Sequence, residues 1–138
     1  ARADFVEDGA DALHALKANV AARRLRASES AAAPGRPAKA ARVFKRDAIP
    51  FVQALDADAY DVALADPPYG SKKLDLVIAR WLQVRFARIL AVEHTVDHEV
   101  PRGGKTLDFG ETVVTVYGLP SRRRSGGGAR PRTGGEGV

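Results

Sequence analysis

An α/β fold built on a mostly parallel sheet and closed by one antiparallel strand pair is what the amino-acid sequence predicts. Short apolar runs alternate with segments in which leucine, valine and isoleucine recur every three or four residues, the pattern of strands joined by crossover helices. The first four runs end on acids, at Glu7, Asp47, Asp66 and Glu93. The last two runs are separated by Gly110-Glu111 alone, a spacing too short for a crossover and suited to a hairpin.

Taken in order, Ala3 to Glu7 reads as a short strand. Asp8 stands where it can cap a following helix, Asp11 adds negative charge to the first turn, and Leu13, Leu16, Val20 and Leu25 share one face. That helix is expected to reach about Leu25. Ser28 to Lys39, with Ala31-Ala32-Ala33, Pro34-Gly35 and Pro37, reads as a loop. Arg42 to Arg46 is the second strand, followed after Asp47 by a short helix with Phe51, Val52 and Leu55. Tyr60 to Ala65 is the third strand. Residues 72 to 83 form an amphipathic helix through Leu74, Val77, Ile78 and Trp81. Arg88 to Val92 is the fourth strand, apolar enough for cover on both faces and ending on Glu93-His94. The segment Gln83 to Arg88 lacks a glycine to end the preceding helix, and Arg85 and Arg88 read as solvated surface ahead of contacts to an anionic partner. Lys105 to Phe109 and Thr112 to Tyr117 complete the sheet.

The 138 residues fit one domain. With no cysteine, disulfides, thiolate zinc sites and cysteine nucleophiles are excluded, and a cytoplasmic location is expected. No apolar run approaches a membrane span, and the acidic N-terminus is unlike a signal peptide. The formal charge is +5. Residues 121 to 138 carry Arg122, Arg123, Arg124, Arg130 and Arg132 against Glu136, so the basicity belongs to a tail. Its glycines predict disorder, so the domain is placed at 1 to 120 and the Arg/Gly tail at 121 to 138. Such a tail holds nucleic-acid backbones or merely aids solubility.

In open parallel sheets, ligands bind beyond the carboxyl ends of the strands. The four acids therefore share one rim, although any one of them also suits the simpler role of capping the next helix. Asp66-Pro67-Pro68-Tyr69-Gly70 carries more chemistry. Two prolines remove two backbone donors and stiffen the turn. The Asp66 carboxylate and the Pro67 carbonyl then stand as acceptors for the hydrogens of an exocyclic amine, leaving its lone pair free to attack. Tyr69 offers a face on which a flipped or single-stranded base can stack. His14 with Asp11, and His94 with His98, are too few and too poorly aligned to hold a metal.

On these residues the sequence resembles the bacterial small-subunit (16S) rRNA guanine-N2 methyltransferases between about residues 3 and 118. The likeness rests on Phe5-Val6-Glu7 with Asn19 in the next helix, Arg46-Asp47-Ala48, Asp61 to Gly70, Val92-Glu93-His94 and Gly110-Glu111-Thr112. It implies a Rossmann-like S-adenosylmethionine-dependent fold. Glu7 would bind the ribose hydroxyls of S-adenosylmethionine, Asp47 and the Ala48 backbone its adenine, and Asp66, Pro67, Pro68 and Tyr69 the target guanine, with Asp66 also bordering the cofactor. The implied partner is rRNA or a small-subunit assembly intermediate, met by a monomer.

The resemblance lacks one part. Its family opens with a strand and a glycine-rich turn, whereas the first glycine here is Gly9, after Glu7. That strand would lie between those ending at Glu7 and Asp66, so two interior edges are expected to stand unpaired, as in a fragment. Other acceptors for the same motif are adenine N6 in DNA and a protein glutamine. A third reading is a catalytically silent RNA-binding remnant.

Overall fold

The computed structural model describes residues 2–29 and 40–118. Most of the expected loop, and all of the Arg/Gly tail, lie outside the described residues. The element order is β1 (Arg2–Glu7), α1 (Ala10–Glu29), β2 (Ala40–Lys45), α2 (Ala48–Gln53), β3 (Tyr60–Ala65), α3 (Lys73–Val84), β4 (Ala87–Thr95), β5 (Lys105–Asp108) and β6 (Thr112–Tyr117). Every strand and helix expected from the sequence is present.

The strands form two sheets, and the break falls between the strands ending at Glu7 and Asp66, where the sequence predicts two unpaired edges. β1 pairs in parallel with β2, and a four-stranded sheet has the order β3-β4-β6-β5. β3 and β4 are parallel, while β6 runs antiparallel to both β4 and β5. Among the described residues no ladder joins β1 to β3, and the two edges face each other across a cleft. Phe5, Val62 and Leu64 are exposed, Leu64 at 81%.

One side of the larger sheet is sealed by α3. Leu74, Val77, Ile78 and Trp81 pack on Leu90, Val92 and Tyr117, with Phe86 and Ala87 at the base. Trp81 is 1% exposed and donates its indole N–H to the Ala87 carbonyl at 2.7 Å. The other side is only half covered: along β4, buried residues alternate with half-buried ones. The expectation of burial on both faces is therefore corrected. β4 also runs past Glu93 and His94, because pairing with β6 continues to Thr95 opposite Thr112.

Three local details depart from expectation. The Asp8 carboxylate meets Lys73 at 3.2 Å, and α1 begins instead with the Gly9 carbonyl accepting from the Leu13 N–H. α1 reaches Glu29, beyond the expected Leu25. Arg85 adopts the left-handed conformation (φ 55°, ψ 48°) that ends α3, a position that usually falls to glycine. Its guanidinium lies 4.0 Å from the centre of the Trp81 ring, a cation–π contact of the kind that offsets such strain. Arg85 is thus occupied with the core. Arg88 lies 3.8 Å from Asp61, both well exposed.

Gly118 closes β6 at φ +84°, and a Cβ there would strike the Arg88 carbonyl. Gly118→Ala is expected to destabilise the fold by about 1–3 kcal/mol, visible as a lowered thermal midpoint.

Polar contacts join the two sheets. The Asp4 carboxylate, 2% exposed, accepts two bonds from Arg42 at 2.8 and 2.6 Å and one from the Tyr60 hydroxyl at 2.6 Å. Arg80 donates to the Val52, Gln53 and Leu55 carbonyls at the end of α2. The Arg42 guanidinium, opposed by burial and aided by Tyr60, holds Asp4 at about 2, against an ordinary 3.8. Because the folded value lies below the unfolded one, this contribution is full above pH 4 and is lost as pH falls towards 2. The urea midpoint of the parent protein should drop across that window, and Asp4→Asn should flatten the drop.

Candidate functional site

The carboxyl ends of the parallel strands form one rim, and the cleft between the sheets opens there with a volume of about 1030 Å³. Glu7, Ala48, Asp66, Pro67, Pro68 and Tyr69 all line it, together with Asp8, Lys73 and Glu93. Residues scattered over more than 80 positions of sequence thus meet because each lies near or beyond the carboxyl end of a strand pointing the same way.

Asp66 follows the last residue of β3 and is exposed. The chain then turns sharply: the Ser71 N–H donates to the Pro68 carbonyl at 3.2 Å, and Gly70 takes φ +73°. Tyr69 is left 60% exposed, its hydroxyl donating to Glu93 Oε1 at 3.3 Å and lying 3.4 Å from Thr112 Oγ1. Behind it, bordered by Ser71, His94 and His98, is a cavity of about 20 Å³, too small for a base. A base at this loop must therefore use the open side.

Glu7 turns one oxygen back to the Gly9 N–H at 2.7 Å. Asp47 does not line the cleft. One of its oxygens caps α2 by accepting from the Ile49 N–H at 2.7 Å, and the other meets Lys73 at 2.7 Å. The Lys73 ammonium, then the Ile49 N–H, holds Asp47 below the usual carboxylate range. Lys73, bonded to Asp47 and then Asp8, is held above the usual lysine range. Sequence reasoning missed this lysine. Its position after Ser71-Lys72 resembles any solvated helix start, and only the fold sets the first residue of α3 beside the acids that follow β1 and β2.

The histidines serve structure. His94 is 5% exposed, with Nδ1 2.9 Å from the Thr95 carbonyl and Nε2 2.9 Å from Thr115 Oγ1. His98 lies 2.8 Å from Asp75. Among the described residues no group of three or more metal-ligating side chains converges.

No family model and no curated protein matches the chain. Solved structures are. A Haemophilus influenzae protein named provisionally as a methylase superposes with a TM-score of 0.56 at 18% identity, over 83% of this chain and 70% of its own. An Escherichia coli protein named provisionally as a methyltransferase gives 0.58 at 19%, over 85% and 62%. A conserved hypothetical protein of Streptococcus pyogenes gives 0.64 at 19%, over 84% and 70%. The fold is Rossmann-like. The chain spans less than two thirds of the Escherichia coli protein, and identities this low carry the architecture alone. Within that Rossmann-like frame, the site residues sit at the strand ends, where ligands of such folds bind.

Proposed function

We propose that this protein transfers a methyl group from S-adenosylmethionine to the exocyclic N2 amine of a guanine in small-subunit (16S) rRNA. The observation that carries this reading is the Asp66 to Tyr69 loop, rigid, rich in acceptors and bearing an exposed ring, at the lip of a cleft whose opposite wall is Glu7.

The cleft and its donor set suit the cofactor. The Glu7 oxygen not committed to Gly9 would accept from the ribose hydroxyls, as ionised carboxylates do well, with Ala48 at the adenine end and Asp47 set back from the cleft beside it. Each Asp47 oxygen already has one donor and retains a second lone pair for an amine. When bound, S-adenosylmethionine supplies an electrophilic methyl group that needs no further activation. The task left to the protein is positioning. Asp66 and the Pro67 carbonyl accept the two amine hydrogens, which turns the nitrogen lone pair out of the ring, and Asp66 takes the proton shed on methylation. Tyr69 holds the base by its face.

The substrate would be presented as rRNA or a small-subunit assembly intermediate in the cytoplasm, to a monomeric enzyme. No described helix is long and apolar enough to cross a membrane. Labelled methyl transfer to unmethylated small-subunit rRNA tests the reading, with mass mapping of the product nucleoside. Incorporation at guanine N2 is expected; no transfer to any RNA refutes it. Transfer to adenine N6 would replace the acceptor and keep the loop's role.

Glu7→Gln is expected to weaken cofactor binding on the order of tenfold by removing a charge-assisted pair of hydrogen bonds, with the RNA affinity unchanged. Calorimetry with S-adenosylmethionine, alongside RNA titration, checks it.

A further inference from the structure

We propose that Phe109, at the tip of the β5–β6 hairpin, is a second stacking platform that holds the nucleotide flanking the target base. This rests on the nucleic-acid reading of the Asp66 to Tyr69 loop and extends the site to a second residue position of the substrate.

Phe109 is 68% exposed and Tyr69 is 60% exposed, the two most exposed Phe, Tyr or Trp rings among the described residues. They belong to one rim. The Phe109 N–H donates to the Thr112 carbonyl at 2.9 Å, and the Thr112 hydroxyl lies 3.4 Å from the Tyr69 hydroxyl. One residue thus touches both the hairpin tip and the loop that would hold the target.

The tip is held rather than loose. Asp108 Oδ1 accepts from the Gly110 N–H at 2.8 Å, and Gly110 takes φ +90°, where glycine alone is at ease. Pairing of β5 with β6 ends at Asp108 opposite Val113, so Phe109 falls just past the ladder. Its ring makes no aromatic or cation–π contact with any described residue.

The chemistry points to a base face and not to a phosphate. Asp108 and Glu111 stand within two residues of Phe109 in the sequence, and their charges disfavour phosphate at the tip. Taking a base out of its stack also strips its neighbour of a partner, and an aromatic ring replaces that partner whatever the base. Tyr69 would hold the extruded base and Phe109 the neighbour left behind.

The test uses the full chain and a short single-stranded RNA in which 2-aminopurine adjoins a guanine. The parent protein is expected to quench the 2-aminopurine on binding. Phe109→Ala should abolish the quench and weaken RNA binding on the order of tenfold, by a factor that holds between low and high salt because stacking is not ionic. Phe109→Trp should restore both. Thermal midpoint and S-adenosylmethionine binding should match the parent in each variant, since the ring is exposed and outside the cleft lining. A parent that methylates RNA while Phe109→Ala binds and methylates it equally well overturns the platform and leaves the proposed function intact. A parent that binds no RNA overturns both.

Discussion

Asp66→Ala is expected to lower the rate of methyl transfer by about 10²–10³, the usual loss when a preorganised group aimed at the developing charge is removed. The cofactor affinity should fall far less, because Asp66 only borders the cofactor while Glu7 and Ala48 line the same cleft and remain in place. RNA binding should also persist through Tyr69. The loss therefore belongs in turnover and not in substrate KM, and single-turnover transfer with labelled S-adenosylmethionine separates the two. Asp66 is exposed, so its truncation leaves the fold intact and an unchanged thermal melt should accompany the lost activity. If Asp66→Ala methylates at the parent rate, the loop is not the amine-holding element.

Trp81→Ala should have the largest effect on stability, about 3–5 kcal/mol. Its ring is 1% exposed, lies 5.6 Å from Tyr117, supports the Arg85 guanidinium and donates to the Ala87 carbonyl. Truncation leaves a cavity, an orphaned carbonyl, and a left-handed Arg85 without its compensating contact. Circular dichroism in urea checks the variant, which also removes the single tryptophan of the chain. Trp81→Phe keeps most of the volume and loses the hydrogen bond, so about 1–3 kcal/mol is expected there. Equal stability of both variants and the parent would show that α3 is held by something other than this contact.

Much of the fold was legible because its signals are local. The run Tyr60 to Ala65 is observed with those bounds, since an apolar stretch closed by two prolines leaves the chain little choice. The stripe Leu74, Val77, Ile78 and Trp81 is the buried face of α3, as its spacing requires. Asp47 shows the limit of the same logic. An acid after a strand is compatible with a ligand or a cap, and here it caps α2 while also meeting Lys73. Its place at the end of β2 was readable, whereas its partners were not.

Departures arose where long-range contacts override local preference. Glu93 and His94 looked like a strand end until pairing with β6 carried β4 through them. Asp8, a plausible cap by position, faces Lys73 from the far side of the cleft.

The sequence by itself determined the alternation of strands and helices, the acids at strand ends, and the stiff Asp66 to Gly70 loop, because hydrophobic period and proline chemistry act within a few residues. Only the tertiary structure decided that Asp4 and Tyr60 bridge the gap between the two sheets, and that Lys73 spans the rim. It alone set Phe109 beside Tyr69 through Thr112. Those outcomes depend on which side chains meet across tens of residues, and no local pattern encodes such meetings.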